Sequence, residues 1–415
     1  MKKTILASIA AAIIAVSPLT AVPAASAGDQ PPSHVAGQIL VKFSDNRASA
    51  GVLREHGLSD GPSIGSTGAR LITVPAGSEL RLVAALSSNP AVEYAEPDAI
   101  ATAVTNDQYF PRQYALQNTG QSFTNTAGTI TVAGGTPHAD VDAVDAWTVT
   151  TGVGTKVAVL DTGVAGDNPD IAPKVVKQAN FSTSSTTDDL YGHGTHVAGI
   201  VAAIADNTIG VAGVCPGCVI LNGKVLDDSG SGSSSAIARG IDWAVANGAK
   251  VINMSLAMRF SSLTLETAVN NAWNHGVVIV AAAGNSGSQA KMYPAAYTNV
   301  IAVAATDNND AKASFSTYGA KWVDLAAPGV SVYSTFPNHP FGLQTTYNRS
   351  LDYDIGSGTS MASPIVAATV ALAWNAHPAY TNADVRAHVE STADKIAGTG
   401  SYWANGRVNA NGAVH

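Results

Sequence analysis

Charge is scarce in this 415-residue chain: charged residues make up 13% of it, with 22 Lys and Arg against 30 Asp and Glu, for a formal net charge of −8. No basic block and no interleaving of basic with aromatic residues occurs, which argues against a nucleic-acid partner. Cysteine is nearly absent. Cys215 and Cys218 share a single Cys-Pro-Gly-Cys loop, too few for a disulfide-stapled miniature fold and without the two further ligands a zinc site needs. After the N-terminus no apolar run is long enough to cross a bilayer, so no membrane association is expected. What the chain has instead is 39 glycines and 46% hydrophobic residues, which suits a compact α/β protein.

Residues 1–27 have the three parts of a secretory signal peptide: Lys2 and Lys3, an apolar stretch over 5–16, and Ala25-Ser26-Ala27 before the cut. Ser17-Pro18 interrupts the apolar stretch before it could span a membrane. The chain is therefore expected to be secreted to the extracellular space. In that compartment a local disulfide between Cys215 and Cys218 is favoured over redox catalysis.

Residues 28–104 read as a small α+β unit. Strand alternation occurs at 38–43 and 71–74, helical spacing at 79–86, and a third strand follows Asn89-Pro90. Residues 99–106 are small and polar, an exposed and cleavable connector. From about 105 to 415 the pattern changes to short apolar strands (156–160, 219–221, 250–253, 277–280) alternating with Ala-rich helical patterns (194–204, 233–247, 263–275, 363–376). Such alternation predicts an α/β fold with a doubly wound, mainly parallel sheet, whose active groups lie at the C-terminal ends of strands. Thr381-Asn382-Ala383-Asp384 reads as a capping box that opens a surface helix.

Four positions in this layout carry chemistry. Gly358-Thr359-Ser360-Met361-Ala362-Ser363-Pro364 leads into an apolar helix, which would put the Ser360 hydroxyl at a helix N-terminus. Read alone, that serine is a helix cap; read with a base and a carboxylate, it is a nucleophile. Asp161 ends an apolar strand before Thr162-Gly163. His193 opens the helical run Gly192-His193-Gly194-Thr195-His196, and the glutamate a metal-binding helix would need between its histidines is missing. His196 then reads as a buried structural histidine, leaving His193 as the base. Asn285, after the strand at 277–280, offers an amide to an oxyanion. The order Asp, His, Ser is one of the known arrangements of a Ser-His-Asp triad.

These three motifs, around Asp161, His193 and Ser360, resemble the signatures of the subtilisin-like serine proteases. The resemblance covers nearly all of the chain after the signal peptide. It implies that Ser360 attacks a peptide carbonyl, His193 shuttles the proton, Asp161 holds the imidazole, and Asn285 with the Ser360 N–H binds the oxyanion. It implies that substrate peptides pair with Gly230, Ser231 and Gly232 on one side and Ser255, Leu256 and Ala257 on the other. Residues 35–104 resemble the family's inhibitory propeptide, so the chain would be a zymogen inhibited by its own N-terminal domain. The start of the remaining 105–415, at Asn106 to Tyr114, resembles thermitase-like members. Calcium is implied as well. The loop 205–211, through Ala205, Asn207, Ile209 and Val211, resembles the family's strong-site loop, and Asp107 and Asp170 match its carboxylate positions.

Some positions depart from the family pattern. Ile365 and Ala367 replace a common histidine and glycine at packing positions. Residues 337–355 are longer than in short bacterial members, predict an added surface loop, and contain the sequon Asn348-Arg349-Ser350. Met292 aligns with a glycine at the floor of the family's specificity pocket, and Ala257-Met258 replace a glycine pair in its wall. Added side-chain volume predicts preference for Val, Ala or Leu over Phe and Tyr at the cleaved position, with Val104 or Ala103 as the processing residue. The expected molecule is a monomeric, calcium-stabilised endopeptidase. Two rival readings fit the sequence less well. A catalytically silent binding protein fits poorly with a complete triad, and an α/β-hydrolase esterase lacks the second glycine of a nucleophile elbow.

Overall fold

The computed structural model describes residues 34–45, 49–99 and 105–415. The signal peptide and the processing position at Ala103 or Val104 lie outside the described residues. The described residues form two compact units, one before and one after that gap.

The first unit is a three-stranded antiparallel sheet ordered β2-β1-β3, with β1 His34–Phe43, β2 Ala69–Thr73 and β3 Val92–Ala99. Alternation along β1 turns Ile39, Val41 and Phe43 inward. There they meet Val52 and Leu53 of α1 (Ser49–Glu55) and Leu82 and Leu86 of α2 (Glu79–Ser87). This is the α+β arrangement that the strand and helix periods predict.

The second unit is built on an eight-stranded sheet in which every adjacent pair is parallel. Its strands are β4 Lys156–Asp161, β5 Val175–Asn180, β6 Val219–Lys224, β7 Val251–Met254, β8 Val278–Ala282, β9 Val300–Thr306, β10 Leu325–Pro328 and, numbered after two further strands below, β13 Gly406–Arg407. The spatial order is β13-β10-β9-β8-β7-β4-β6-β5. From β4 the chain crosses to β5 at the edge, comes back to β6 beside β4, then passes to β7 on the other side of β4 and winds outward from there. The reversal between β4 and β7 opens a crevice at the C-terminal strand ends.

Side-chain alternation divides the interior into two cores. Val157, Val159, Val278 and Val280 face α3 (His193–Ala202) and the long helix Thr359–Ala376. Ala158, Leu160, Ile279 and Ala281 face α4 (Ser234–Ala246) and α5 (Leu263–Asn274). Strands buried on both faces explain the unbroken apolar runs. No helix among the described residues is long and apolar enough to cross a membrane.

One prediction is corrected here. Residues 337–355 are more than an added surface loop. They contain α6 (Gly342–Tyr347) and most of β12 (Tyr353–Gly356), which pairs antiparallel with β11 (Val332–Thr335). Phe341 and Leu343 are buried with Phe336, because aromatic side chains in the segment pack against Tyr191. At the end of the predicted connector Thr105 is 7% exposed and Asn106 is exposed; Asp107, just past it, is 3% exposed and accepts from the Asp206 and Asn207 N–H groups. The helix Thr359–Ala376, now α7, begins four residues ahead of its apolar pattern. α8 (Asn382–Ser391) starts at the predicted capping box, with Thr381 and Asp384 exchanging both bonds.

Candidate active site

Asp161 is the last residue of β4, and its Oδ1 accepts from the Thr162 N–H and lies 2.7 Å from His193 Nδ1. That contact assigns the Nδ1 proton to the carboxylate and leaves Nε2 as the ring's acceptor nitrogen. His193 Nε2 is buried and has no hydrogen-bond partner among the described residues. Burial works against a charged ring. The Asp161 carboxylate, through its charge and hydrogen bond, outweighs this with help from Asp189 and raises the His193 pKa.

The first turn of α3 is held by two residues. Asp189, fully buried, accepts from the Gly192 N–H at 2.7 Å, the Thr195 N–H at 2.8 Å and the Thr162 hydroxyl at 2.8 Å. Thr162 in turn accepts from the Gly194 N–H at 2.8 Å. The helix comes so close to the strand end that a Cβ on Gly194 would lie 2.1 Å from the Gly163 carbonyl oxygen. Only glycine fits there, which accounts for the His-Gly sequence. His196 lies on the buried face, 3.3 Å from the Asp354 carbonyl, and burial lowers its pKa to about 3, as befits a neutral structural histidine.

Ser360 is the second residue of α7, and its hydroxyl donates to the Ser255 carbonyl at 3.2 Å. Pro364 stands inside this helix and has no N–H. The Ser360 carbonyl, which would have accepted that bond, instead accepts the Ser255 hydroxyl at 2.7 Å. Asn253 continues the chain of bonds, donating to Ser255 Oγ at 3.0 Å and accepting from Ser363 Oγ at 2.7 Å. The helix start is thereby fastened to the end of β7.

Asn285 follows β8. Its Oδ1 accepts from both the N–H and the hydroxyl of Thr359, at 2.9 and 3.0 Å, so the amide orientation is decided and Nδ2 is the free donor. A cleft enclosing about 530 Å³ brings His193, Asn285 and Ser360 together with Gly230, Gly232, Ser255, Leu256, Ala257 and Met292. Ser231 is not among its lining residues; its N–H and carbonyl bond to Asp227. The Met292 side chain lies over Gly284, where a Cβ would be 3.0 Å from its Cγ. Sequence reasoning missed Thr359, Asp189, Asn253 and Ser363, and for the last two the signal was there: a polar residue inside the apolar runs of β7 and α7.

A second cluster gathers Asp107, Asp170 and the loop through Ala205, Asn207, Ile209 and Val211. Asp107 accepts from the N–H groups of Asp206 and Asn207 at 3.1 and 3.0 Å. Asp170 accepts from Asn207 Nδ2 at 2.7 Å and the Val211 N–H at 2.8 Å. Burial raises both carboxylates, Asp170 to about 6, and the two repel each other. Among the described residues neither forms an ion pair, and no three His, Cys, Asp or Glu side chains converge as a metal cluster. Cys215 and Cys218 are joined in a disulfide.

Comparison with known proteins gives concordant findings. A model described as the subtilase family matches residues 152–409, and one described as the fervidolysin N-terminal prodomain matches 20–98. Thermitase of Thermoactinomyces vulgaris is 50% identical over 275 residues, spanning 66% of this chain and 93% of that protein. A thermophilic serine proteinase of Bacillus sp. (strain AK1) is 42% identical over 390 residues, 92% of this chain and 88% of that one. A solved protease structure from Pseudoalteromonas arctica superposes with a TM-score of 0.63 at 29% identity, covering 75% of this chain and 99% of that chain.

Proposed function

Because the chain belongs to the subtilase family of serine proteases, we propose that it is a secreted endopeptidase that cuts extended polypeptides through Ser360, His193 and Asp161 and matures by its own activity. In this reading the Ser360 hydroxyl turns from the Ser255 carbonyl to His193 Nε2 and gives up its proton as Oγ attacks the substrate carbonyl. The carbonyl oxygen takes the negative charge and accepts from Asn285 Nδ2 and the Ser360 N–H. His193, its charge balanced by Asp161, then passes the proton to the leaving amine, and an acyl ester on Ser360 remains. Water, deprotonated by the same nitrogen, releases the acid and restores Ser360. One observation carries this reading: Thr359 holds Asn285 Oδ1, so the donor Nδ2 is committed beside the nucleophile.

The segments Gly230 to Gly232 and Ser255 to Ala257 would take substrate between them as an added strand. The N-terminal domain, residues 28–104, would act as inhibitor until it is removed, and the mature enzyme would work as a monomer. Met292 and the Ala257-Met258 wall favour Val, Ala or Leu at the cleaved position.

Calcium fits the second cluster, where two buried carboxylates repel each other and, among the described residues, no cationic side chain pairs with either. Asp107 and Asp170, the Asn207 side chain and carbonyls of Ala205, Ile209 and Val211 would hold it. The bound cation would neutralise the carboxylates and tie the 105–107 segment to the loop, adding stability by mass action and no catalytic group.

The test is labelling by a fluorophosphonate, expected at Ser360 alone, together with Ser360→Ala produced in a protease-free host. The variant should accumulate uncleaved at zymogen length. Normal maturation of Ser360→Ala would overturn self-processing, and absence of label from wild type would overturn the enzyme reading.

A further inference from the structure

The molecule is acidic overall, yet its cleft is not. Among the residues lining the cleft, the only Lys, Arg, Asp or Glu side chains are Arg259 and Lys291, both cations. Both are exposed, and among the described residues neither forms an ion pair. The backbone brings them together: Met258 and Tyr293 exchange N–H···O bonds of 2.7 and 2.8 Å, which sets Arg259 one residue from this bridge and Lys291 two. The bridge joins the two segments that wall the pocket beside Asn285, so the cations flank the space open to the side chain of the residue being cleaved. The nearest acidic stretch along the chain from Gly230, Asp227-Asp228, is otherwise engaged: Asp227 accepts from Ser229 and Ser231, and Asp228 pairs with Lys224 at 2.8 Å.

We propose that, alongside aliphatic side chains, the pocket accepts glutamate at the cleaved position in preference to its neutral isostere, and that Arg259 and Lys291 recognise the carboxylate. This rests on the endopeptidase reading and names a substrate class for it. Shape and charge act together. Met292 lies across Gly284 and shortens the pocket, so a long side chain cannot sink its polar end and keeps it at the rim, where the cations are. Aliphatic side chains fill the shortened pocket; a glutamate fills it with its methylenes and pairs at the mouth. An exposed ion pair is worth at most about 1 kcal/mol, equivalent to roughly fivefold per cation, and is weakened by salt.

The experiment compares kcat/KM of the purified, processed enzyme on three peptides identical except for Glu, Gln or Leu at the cleaved position, at low ionic strength and at about 0.5 M salt. Gln matches Glu in size, so their ratio isolates charge. We expect Glu to be cleaved up to about tenfold faster than Gln at low salt, with the ratio falling toward one at high salt. In Arg259→Gln/Lys291→Gln the low-salt ratio should also fall toward one. Turnover of the Leu peptide with a wild-type Glu/Gln ratio near one at low salt would overturn this proposal alone. A ratio that the double variant leaves unchanged would do the same. No turnover of any of the three would overturn the endopeptidase reading together with it.

Discussion

The cleft and the 205–211 loop both gather residues from far apart in the chain, and they are held in opposite ways. In the cleft the positioning bonds come from neighbouring secondary structure. Asp189 and Thr162 fix the start of α3, Ser255 and Asn253 fix the start of α7, and Thr359 orients Asn285. Folding the sheet is enough to assemble it. At the loop, two carboxylates that burial and mutual repulsion push toward protonation are caught by N–H groups of a chain with Asp206 and Thr208 at φ 62° and 71°. Such backbone is costly for residues with a Cβ and persists when surrounding interactions determine it. The cleft is therefore a product of the fold, while the loop leaves a charge for something else to balance. Damage to one should leave the other standing.

Asn285→Ala breaks the cleft alone and should have the largest effect. Loss of one side-chain donor to the oxyanion costs about 3–4 kcal/mol in a related subtilase, so kcat should drop roughly a hundred- to a thousandfold with KM and melting temperature little changed. Kinetics and thermal melting on one preparation check this; a parallel fall in stability would show that the amide is structural.

Chelation of calcium, or Asp170→Asn, breaks the loop alone. With calcium at a hundredfold its Kd the linkage is worth about 2.7 kcal/mol, equivalent to a melting shift of roughly 5–10 °C, with kcat at low temperature retained. The effect should also depend on pH. The Asp170 pKa is raised to about 6, so without the cation this residue adds stability that is full below its unfolded value and lost as pH rises through about 6. Calcium needs the ionised form, so its stabilisation should be full at neutral pH and fade as pH falls through about 6. Melting with and without calcium from pH 7.5 to 4.5 reads this directly, and a constant difference would remove Asp170 from the site.

Met292→Gly sharpens the comparison within the cleft, since it changes pocket volume and leaves the triad and loop alone. A pocket side chain of this size is worth about 1–3 kcal/mol of discrimination. The variant should gain on a Phe peptide relative to a Val peptide by roughly that factor. A wild type that already prefers Phe would show that Met292 does not fill the pocket.

How much of this the sequence makes legible follows from where each residue sits. Asp161 and Asn285 stand just past an apolar strand, and His193 and Ser360 at the start of an apolar helix, so pattern and chemistry coincide. The strand Val300–Thr306 and the four-residue strand Leu325–Pro328 are rich in alanine, and a run of alanines marks neither as extended chain. The sheet-edge strand Val175–Asn180 is largely polar and looks like a loop. Asp189 reads as an ordinary acidic residue because its partners are backbone N–H groups and the hydroxyls of Thr162 and Thr195, which make no chemical motif in the sequence. The 337–355 segment looks like an insertion by length, and only its packing against Tyr191 shows that it supports the turn before His193.

The grip of Thr359 on Asn285 also bears on motion. Thr359 precedes Ser360 on the same helix, so a slide or tilt of α7 would carry the Ser360 hydroxyl and the Asn285 amide together. Thermal agitation can then change where this pair stands relative to His193 far more easily than it can separate the two from each other. Proton transfer tolerates such drift, because the imidazole need meet the hydroxyl only at the moment of attack. In the proposed reaction the grip that would close on a charged oxygen has no such latitude, and the Thr359 bonds would let it travel as a single piece.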